Sequence, residues 1–237
     1  MPGFPEPVVN AAEPLAAQGA ARNTPEKDKQ AGNSMKLITS IGPNPHVVRM
    51  FMAERGIELP TEEINITAGE NRKAPYLSTN PAGQSPCLEL DDGAVITEIT
   101  AICEYLDEVF PGEPLMGDTA EARAQNRRWT RWVDLNVAEP MGNGFRYAEG
   151  LAMFKDRMRC LPDAAPGLKA CAQDKLKFLD AQLADRPYVA GDTFGLADIL
   201  LFCFQAFGNV IGQPVDPTLT NYAAWFTKVG ERPSAKA

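Results

Sequence analysis

The chain has 237 residues, 44% of them hydrophobic, and a formal net charge of −8. That is enough for one large or two small domains around a sizeable core, and the acidic balance argues against nucleic acid or a basic membrane-surface helix as partner. One histidine, His46, excludes two-His metal sites, five scattered cysteines with no C-x-x-C pair read as reduced thiols of a cytoplasmic protein, and no apolar run reaches the ~18 residues of a membrane span.

Residues 1–34 are dense in Ala, Pro, Gly, Asn and Gln and lack the apolar centre of a signal peptide. They read as a disordered leader, with Met35 opening the folded unit. Residues 36–39 read as a strand and 41–45 as a loop. Val47, Val48, Phe51 and Met52 then recur at helical spacing before Gly56. A strand is expected at 63–66, and a polar stretch with a short helix at 67–79. The loop 80–86, N-P-A-G-Q-S-P, leads to an apolar strand at 87–90. Asp91-Asp92-Gly93 supplies a hairpin turn because Asp-Gly tolerates positive φ. The return strand is 94–96, and Thr97-Glu98 opens a helix carrying Ile99, Ile102, Leu106 and Phe110. A loop beside a helix start offers free N–H groups to an anion.

Phe110-Pro111-Gly112-Glu113-Pro114 ends this β-α-β-(α)-β-β-α unit. Asp118 and Glu121 have capping-box spacing for a helix over 120–137, with Trp129, Trp132, Val133 and Asn136 on one face. A break is expected at 142–150 and a loop at 161–166. Leu168, Ala172, Leu176, Leu179 and Leu183 mark an amphipathic helix. The run 196–207 is apolar on all sides, as a central buried helix is, and 221–230 reads as the last helix. The division is a leader (1–34), an α/β domain (35–111), a linker (112–119) and an all-helical bundle (120–237).

From residue 35 onward the chain resembles the soluble glutathione S-transferase superfamily. The similarity lies in N-P-A-G-Q-S-P at 80–86, the acid Glu98, the helix A-I-C-E-Y-L-D-E-V-F-P, G-D-T-F-G-L-A-D-I at 191–199 and W-F-T-K-V-G-E-R-P-S near the end. The resemblance implies a thioredoxin-like first domain, glutathione as co-substrate, a hydrophobic electrophile bound between the domains and a cytoplasmic homodimer without nucleic-acid or membrane partners.

The resemblance also implies roles. Ser85 before a cis Pro86 would pair with the tripeptide backbone. Glu98 would meet the γ-glutamyl amino group, though an acid there also suits a helix N-terminus. Relatives carry Ser or Thr after this acid; here Ile99 leaves only its N–H for the γ-glutamyl carboxylate. Gln84, Arg72 and Lys73 are candidates for the glycyl carboxylate. Gly42 stands where Ser- and Cys-type members keep a catalytic side chain, which argues against a mixed-disulfide mechanism. Asn44 matches the Asn of Nu-type members and would donate to the thiolate, with Ser40 as the alternative donor. His46, Met141, Phe145 and Tyr147 are candidates for the second-substrate pocket, together with Trp129, Arg146 and Phe207. Asp198 would buttress the buried helix, with Gly195 at its cap. Disulfide or peroxide reduction, aryl-ether cleavage and a non-catalytic binding protein stay open beside transfer to carbon.

Overall fold

A computed structural model describes residues 35–237. The leader expected at 1–34 lies outside the described residues. The first half runs β1 (Lys36–Thr39), α1 (Pro43–Arg55), β2 (Thr61–Glu63), α2 (Ala74–Thr79), β3 (Cys87–Glu89), β4 (Val95–Ile96) and α3 (Ile99–Val109). The sheet order is β2-β1-β3-β4, with β1 parallel to β2 and antiparallel to β3, and β3 antiparallel to β4. This mixed sheet with its helices is the thioredoxin-like arrangement. The hairpin turn is as read: Gly93 has φ 82°, and the Asp92 carboxylate accepts from the Ala94 N–H at 2.9 Å.

Two boundaries differ from expectation. The second strand is Thr61–Glu63 rather than 63–66, because parallel register with β1 sets Leu37 against Thr61 and Thr39 against Glu63. Ile64 follows as a buried anchor whose N–H reaches the Thr39 carbonyl at 2.9 Å. Helix α1 begins at Pro43, inside the expected loop. A proline lacks an N–H that the first helical position would leave unpaired, so it starts a helix readily.

The second half is helical: α4 (Ala120–Val133), α5 (Glu139–Arg146), α6 (Leu151–Phe154), α7 (Ala165–Leu183), α8 (Leu196–Val210), α9 (Thr220–Gly230) and a short 3₁₀ turn, Pro233–Lys236. Helices α4 and α5 are joined by π-helical backbone, Asp134–Ala138, so the rod runs on beyond 137 and ends at Arg146, inside the break expected over 142–150. Its start is capped by Thr119, whose hydroxyl accepts from the Ala122 N–H at 3.1 Å, and not by an Asp118–Glu121 box. The face predicted for α7 is buried at Ala172, Leu176, Leu179 and Leu183. The 3₁₀ turn near the end has no counterpart in the sequence reading. No helix among the described residues is long and apolar enough to cross a membrane.

Helix α8 is the central one, buried from Leu196 through Gln205. Its Asp198 carboxylate accepts from the Val189 N–H (2.9 Å), the Gly195 N–H (3.2 Å) and the Trp225 indole N–H (2.8 Å). Burial outweighs these donors and pushes the Asp198 carboxyl up to about 6. Gly195 is required by packing: a Cβ there would stand 2.2 Å from the Asn126 Nδ2, which is held by the Leu115 carbonyl at 2.8 Å.

One hydrophobic core runs through both halves, with α1 packed on α8. Cys203 Sγ approaches Met50 Sδ at 3.9 Å. A buried ion pair, Arg55 with Asp107 at 2.7 Å, ties α1 to α3. Asp107 also accepts from the Leu115 and Met116 N–H groups, while Arg55 donates to the carbonyls of Phe110 and Glu113. The segment joining sheet and bundle is thereby fixed, which sets where α1 faces α8.

Candidate active site

Strand register builds the site. The β1–β3 pairs Lys36–Glu89, Leu37–Leu88 and Ile38–Cys87, continued, set Ser40 opposite Ser85. The β3–β4 pairs Leu88–Ile96 and Glu89–Val95, continued, set Glu98 opposite Pro86. Three segments far apart in sequence thus form a row along one edge of the sheet, next to the start of α1. Ser40 is 3% exposed; its hydroxyl donates to the Ser85 hydroxyl at 2.8 Å and contacts the Ile41 carbonyl at 3.2 Å.

The Ser85-Pro86 bond is cis, and Ser85 is half-buried just outside the β3 ladder. The loop before it is rigidly held. Asn71 donates to the Gly83 carbonyl at 2.7 Å, and Asn80 donates to the Gln84 carbonyl at 2.8 Å. The Tyr76 hydroxyl also donates to the Gln84 carbonyl. Gly83 has φ 62°, and a Cβ there would lie 2.9 Å from the Asn71 carbonyl oxygen. The side chains of Gln84, Arg72 and Lys73 are exposed around this loop. Arg72 contacts the Ala82 carbonyl at 3.4 Å.

Glu98 is exposed and is the one non-glycine residue at positive φ (66°) among the described residues. It is the N-cap of α3 and makes no side-chain cap bond, so among the described residues no capping side chain takes the N–H groups that a first helical turn leaves without an intrahelical partner. A left-handed backbone at a glutamate is costly and marks functional positions. Ile99, the next residue, turns its side chain into the main core and leaves the anion side to its N–H.

At the start of α1, Gly42 has φ 117°. A serine or cysteine would be strained there, so the missing side chain is a backbone requirement. Asn44 lies in the first turn of α1, half-buried, with no side-chain hydrogen bond among the described residues.

A cleft of about 400 Å³ opens beside this row between α1, α8 and the end of the chain. Ile41, Gly42, Pro43, His46 and Arg49 form one wall, Cys203, Ala206 and Phe207 another, and Ala235, Lys236 and Ala237 the rim. Asn44 is not in this lining; it follows Pro43 in the first turn of α1. The His46 Nε2 bonds the Ala235 carbonyl at 3.2 Å, so that nitrogen carries the proton and Nδ1 is the free acceptor. Burial, followed by the charge of Arg49, lowers the His46 pKa and keeps the ring neutral at neutral pH.

Two family models match: "Glutathione S-transferase, N-terminal domain" over residues 41–109 and "Glutathione S-transferase, C-terminal domain" over residues 168–233. The chain is 32% identical to Glutathione S-transferase 2 of Saccharomyces cerevisiae, covering 90% of this chain and 92% of that protein. The chain belongs to the glutathione S-transferase family. Protein LigF of Sphingobium is 37% identical over 86% of this chain and 92% of its own length. Among solved structures, a glutathione S-transferase domain-containing protein of Marinobacter aquaeolei superposes with TM-score 0.79 at 31% identity, covering 84% of this chain and 98% of that one. Gtt2 of Saccharomyces cerevisiae gives 0.78 at 29% identity, with 85% and 98% covered.

The glutathione S-transferase family uses glutathione as co-substrate. The fold brings Ser40, Ser85, Pro86, Glu98 and the Ile99 N–H together, and places His46 and Phe207 in the adjoining cleft. Met141, expected in the pocket, is fully buried and belongs to the core, where a Cβ on Gly208 of α8 would touch its sulfur at 3.0 Å. Trp129 is likewise core, packed with Trp132 and Phe178. Phe145 stands behind the wall, edge-on to Phe207 at 5.1 Å, and Tyr147 is half-buried at the end of α5. Arg146 is occupied by Asn143 at 2.8 Å. Sequence reading missed Arg49, Cys203, Ala206 and the 235–237 rim. Arg49 follows His46 by three residues and Cys203 precedes Phe207 by four, a helical spacing that is visible once one cleft residue on each helix is known.

Proposed function

We propose that this chain is a glutathione transferase that ionises the glutathione thiol and directs it at an apolar electrophile in the cleft between α1 and α8. The carrying observation is the row of Ser40, Ser85 and Glu98 across three segments, beside a helix start whose Asn44 amide has no hydrogen-bond partner among the described residues. The Ser85 backbone takes the cysteinyl unit of an extended tripeptide. Glu98 accepts from the γ-glutamyl ammonium, and the first-turn N–H groups of α3, including that of Ile99, receive its carboxylate. Gln84 and Lys73 flank the glycyl carboxylate.

The Asn44 side-chain N–H and the positive end of α1 favour thiolate over thiol. The thiol proton leaves to solvent. Sulfur forms a bond to the electrophilic carbon, and the leaving group departs with the bonding pair. Rate gain comes from ionisation and positioning, with no covalent bond to the enzyme. Family membership supports a homodimer, and the reduced cysteines a cytoplasmic setting. The domains are assigned as 35–111 and 120–237, joined by 112–119.

The test is retention on immobilised glutathione followed by turnover of a chlorinated nitroaromatic. Retention with turnover above the solution rate supports the reading, and absence of both overturns it. Cleavage of a β-aryl ether is the second reading, favoured by the 37% identity to LigF, whose solved structure is described as a beta-etherase. Release of a phenol from a β-aryl ether by the same protein distinguishes it.

A further inference from the structure

The cleft lining carries basic side chains and no acidic one, although the chain as a whole has net charge −8. Arg49 is anchored through one guanidinium nitrogen, which donates to the Thr39 hydroxyl at 3.2 Å and the Ser40 carbonyl at 3.0 Å. Its other nitrogens have no protein partner among the described residues, and neither Arg49 nor Lys236 pairs with a carboxylate there. The Arg49 charge is felt on both sides of the cleft, lowering the pKa of His46 and opposing the burial that raises that of Cys203. A half-buried guanidinium without a counter-charge forgoes interaction energy that an anion would supply. Phe207 offers a flat apolar wall opposite.

From this juxtaposition we propose that the second substrate is an electrophile with an aromatic body and an anionic group such as a carboxylate, the ring against Phe207 and the anion held by Arg49 and Lys236. This rests on the transferase reading above. In the reaction with a chlorinated nitrobenzoate, the glutathione sulfur bonds to the ring carbon, chloride leaves with the bonding pair, and the substrate carboxylate takes no part. The neutral His46 adds no charge at neutral pH, so Arg49 and Lys236 set the preference.

The experiment measures binding apart from turnover. Titrate the protein, saturated with S-methylglutathione, with para-nitrobenzoate and with the uncharged para-nitrobenzamide. Wild type should bind the carboxylate about tenfold or more tightly than the amide, as one charge-assisted contact provides. The preference should shrink in Lys236→Met, an exposed side chain whose loss leaves the fold alone, and more in Arg49→Met, with amide binding unchanged. Equal binding of the two probes by wild type overturns the proposal. So does an Arg49→Met protein that loses glutathione affinity while keeping the preference, because the cation would then serve a glutathione carboxylate. Turnover of the matching chlorinated compounds, each scaled to its rate with free glutathione, separates the two readings. Selective binding without turnover counts against the transferase and leaves the anion preference standing.

Discussion

The Ser40 hydroxyl donates to the Ser85 hydroxyl at 2.8 Å, across the gap between β1 and the loop before β3. Ser40 is almost wholly buried, and its proton already has an acceptor. Such a group supports the loop and has little left to offer a thiolate. Asn44, half-buried and without a side-chain partner among the described residues, is in the opposite situation. Ser40→Ala is therefore expected to change kcat/KM only about two- to threefold, whereas Asn44→Ala lowers it by about one to two orders of magnitude and raises the bound thiol pKa by about one unit. Steady-state kinetics across pH for both variants checks this.

Glu98 combines a binding role with a strained backbone at φ 66°. Glu98→Gln keeps the shape and removes the charge, so KM for glutathione should rise about tenfold with kcat little changed. Glu98→Gly should bind glutathione as poorly yet unfold at a higher temperature, because glycine accepts the left-handed conformation without strain. Thermal melts of the two variants beside their kinetics check the trade.

Gly195 illustrates a sequence rule that fails on contact with the structure. Serine is a better helix cap than glycine in general. Here its Cβ would collide with Asn126 and approach the Leu115 carbonyl to 2.9 Å. Gly195→Ser should cost about 1–3 kcal/mol by overpacking. Adding Asn126→Ala should return part of that in urea denaturation.

The Asp198 carboxyl, raised to about 6 by burial, binds its proton more tightly in the folded protein than in the unfolded chain. Between the ordinary carboxylate value near 4 and about 6, folding takes up a proton. The stability contributed by this group therefore rises as pH falls through 6 and is smallest above it. Asp198→Asn sets an NH₂ against one of three buried N–H donors and should cost about 1–3 kcal/mol at neutral pH. The gap between wild type and variant should widen from pH 7 to pH 5, read from urea midpoints at the two values.

Much of this architecture is legible in local chemistry. The first strand, the Asp-Gly hairpin and the faces of α7 and α8 follow from turn residues and hydrophobic period, whereas the cis Ser85-Pro86 bond was implied by the family resemblance. The second strand slipped because its limits come from parallel pairing with β1, a contact across the chain. Proline at the start of α1 looks like a break in a propensity reading, yet the helix begins there, and the helix read over 120–137 continues through a π-helical bridge into α5. Of the candidate site, the Ser85–Glu98 row was visible as motifs. Met141 was misplaced because an apolar residue near a cleft and one in the core read alike. The wall formed by Arg49, Cys203 and the 235–237 rim depends on α1 meeting the end of the chain, a juxtaposition that no local pattern encodes.

The central claim is that the row and the start of α1 bind glutathione as its thiolate. Ultraviolet difference spectroscopy of the protein–glutathione complex across pH reads thiolate directly. A bound thiol pKa at least one unit below the free thiol value of about 8.5 is the predicted result, moving back toward it in Asn44→Ala. Saturable glutathione binding with no thiolate signal below pH 8 would contradict the account.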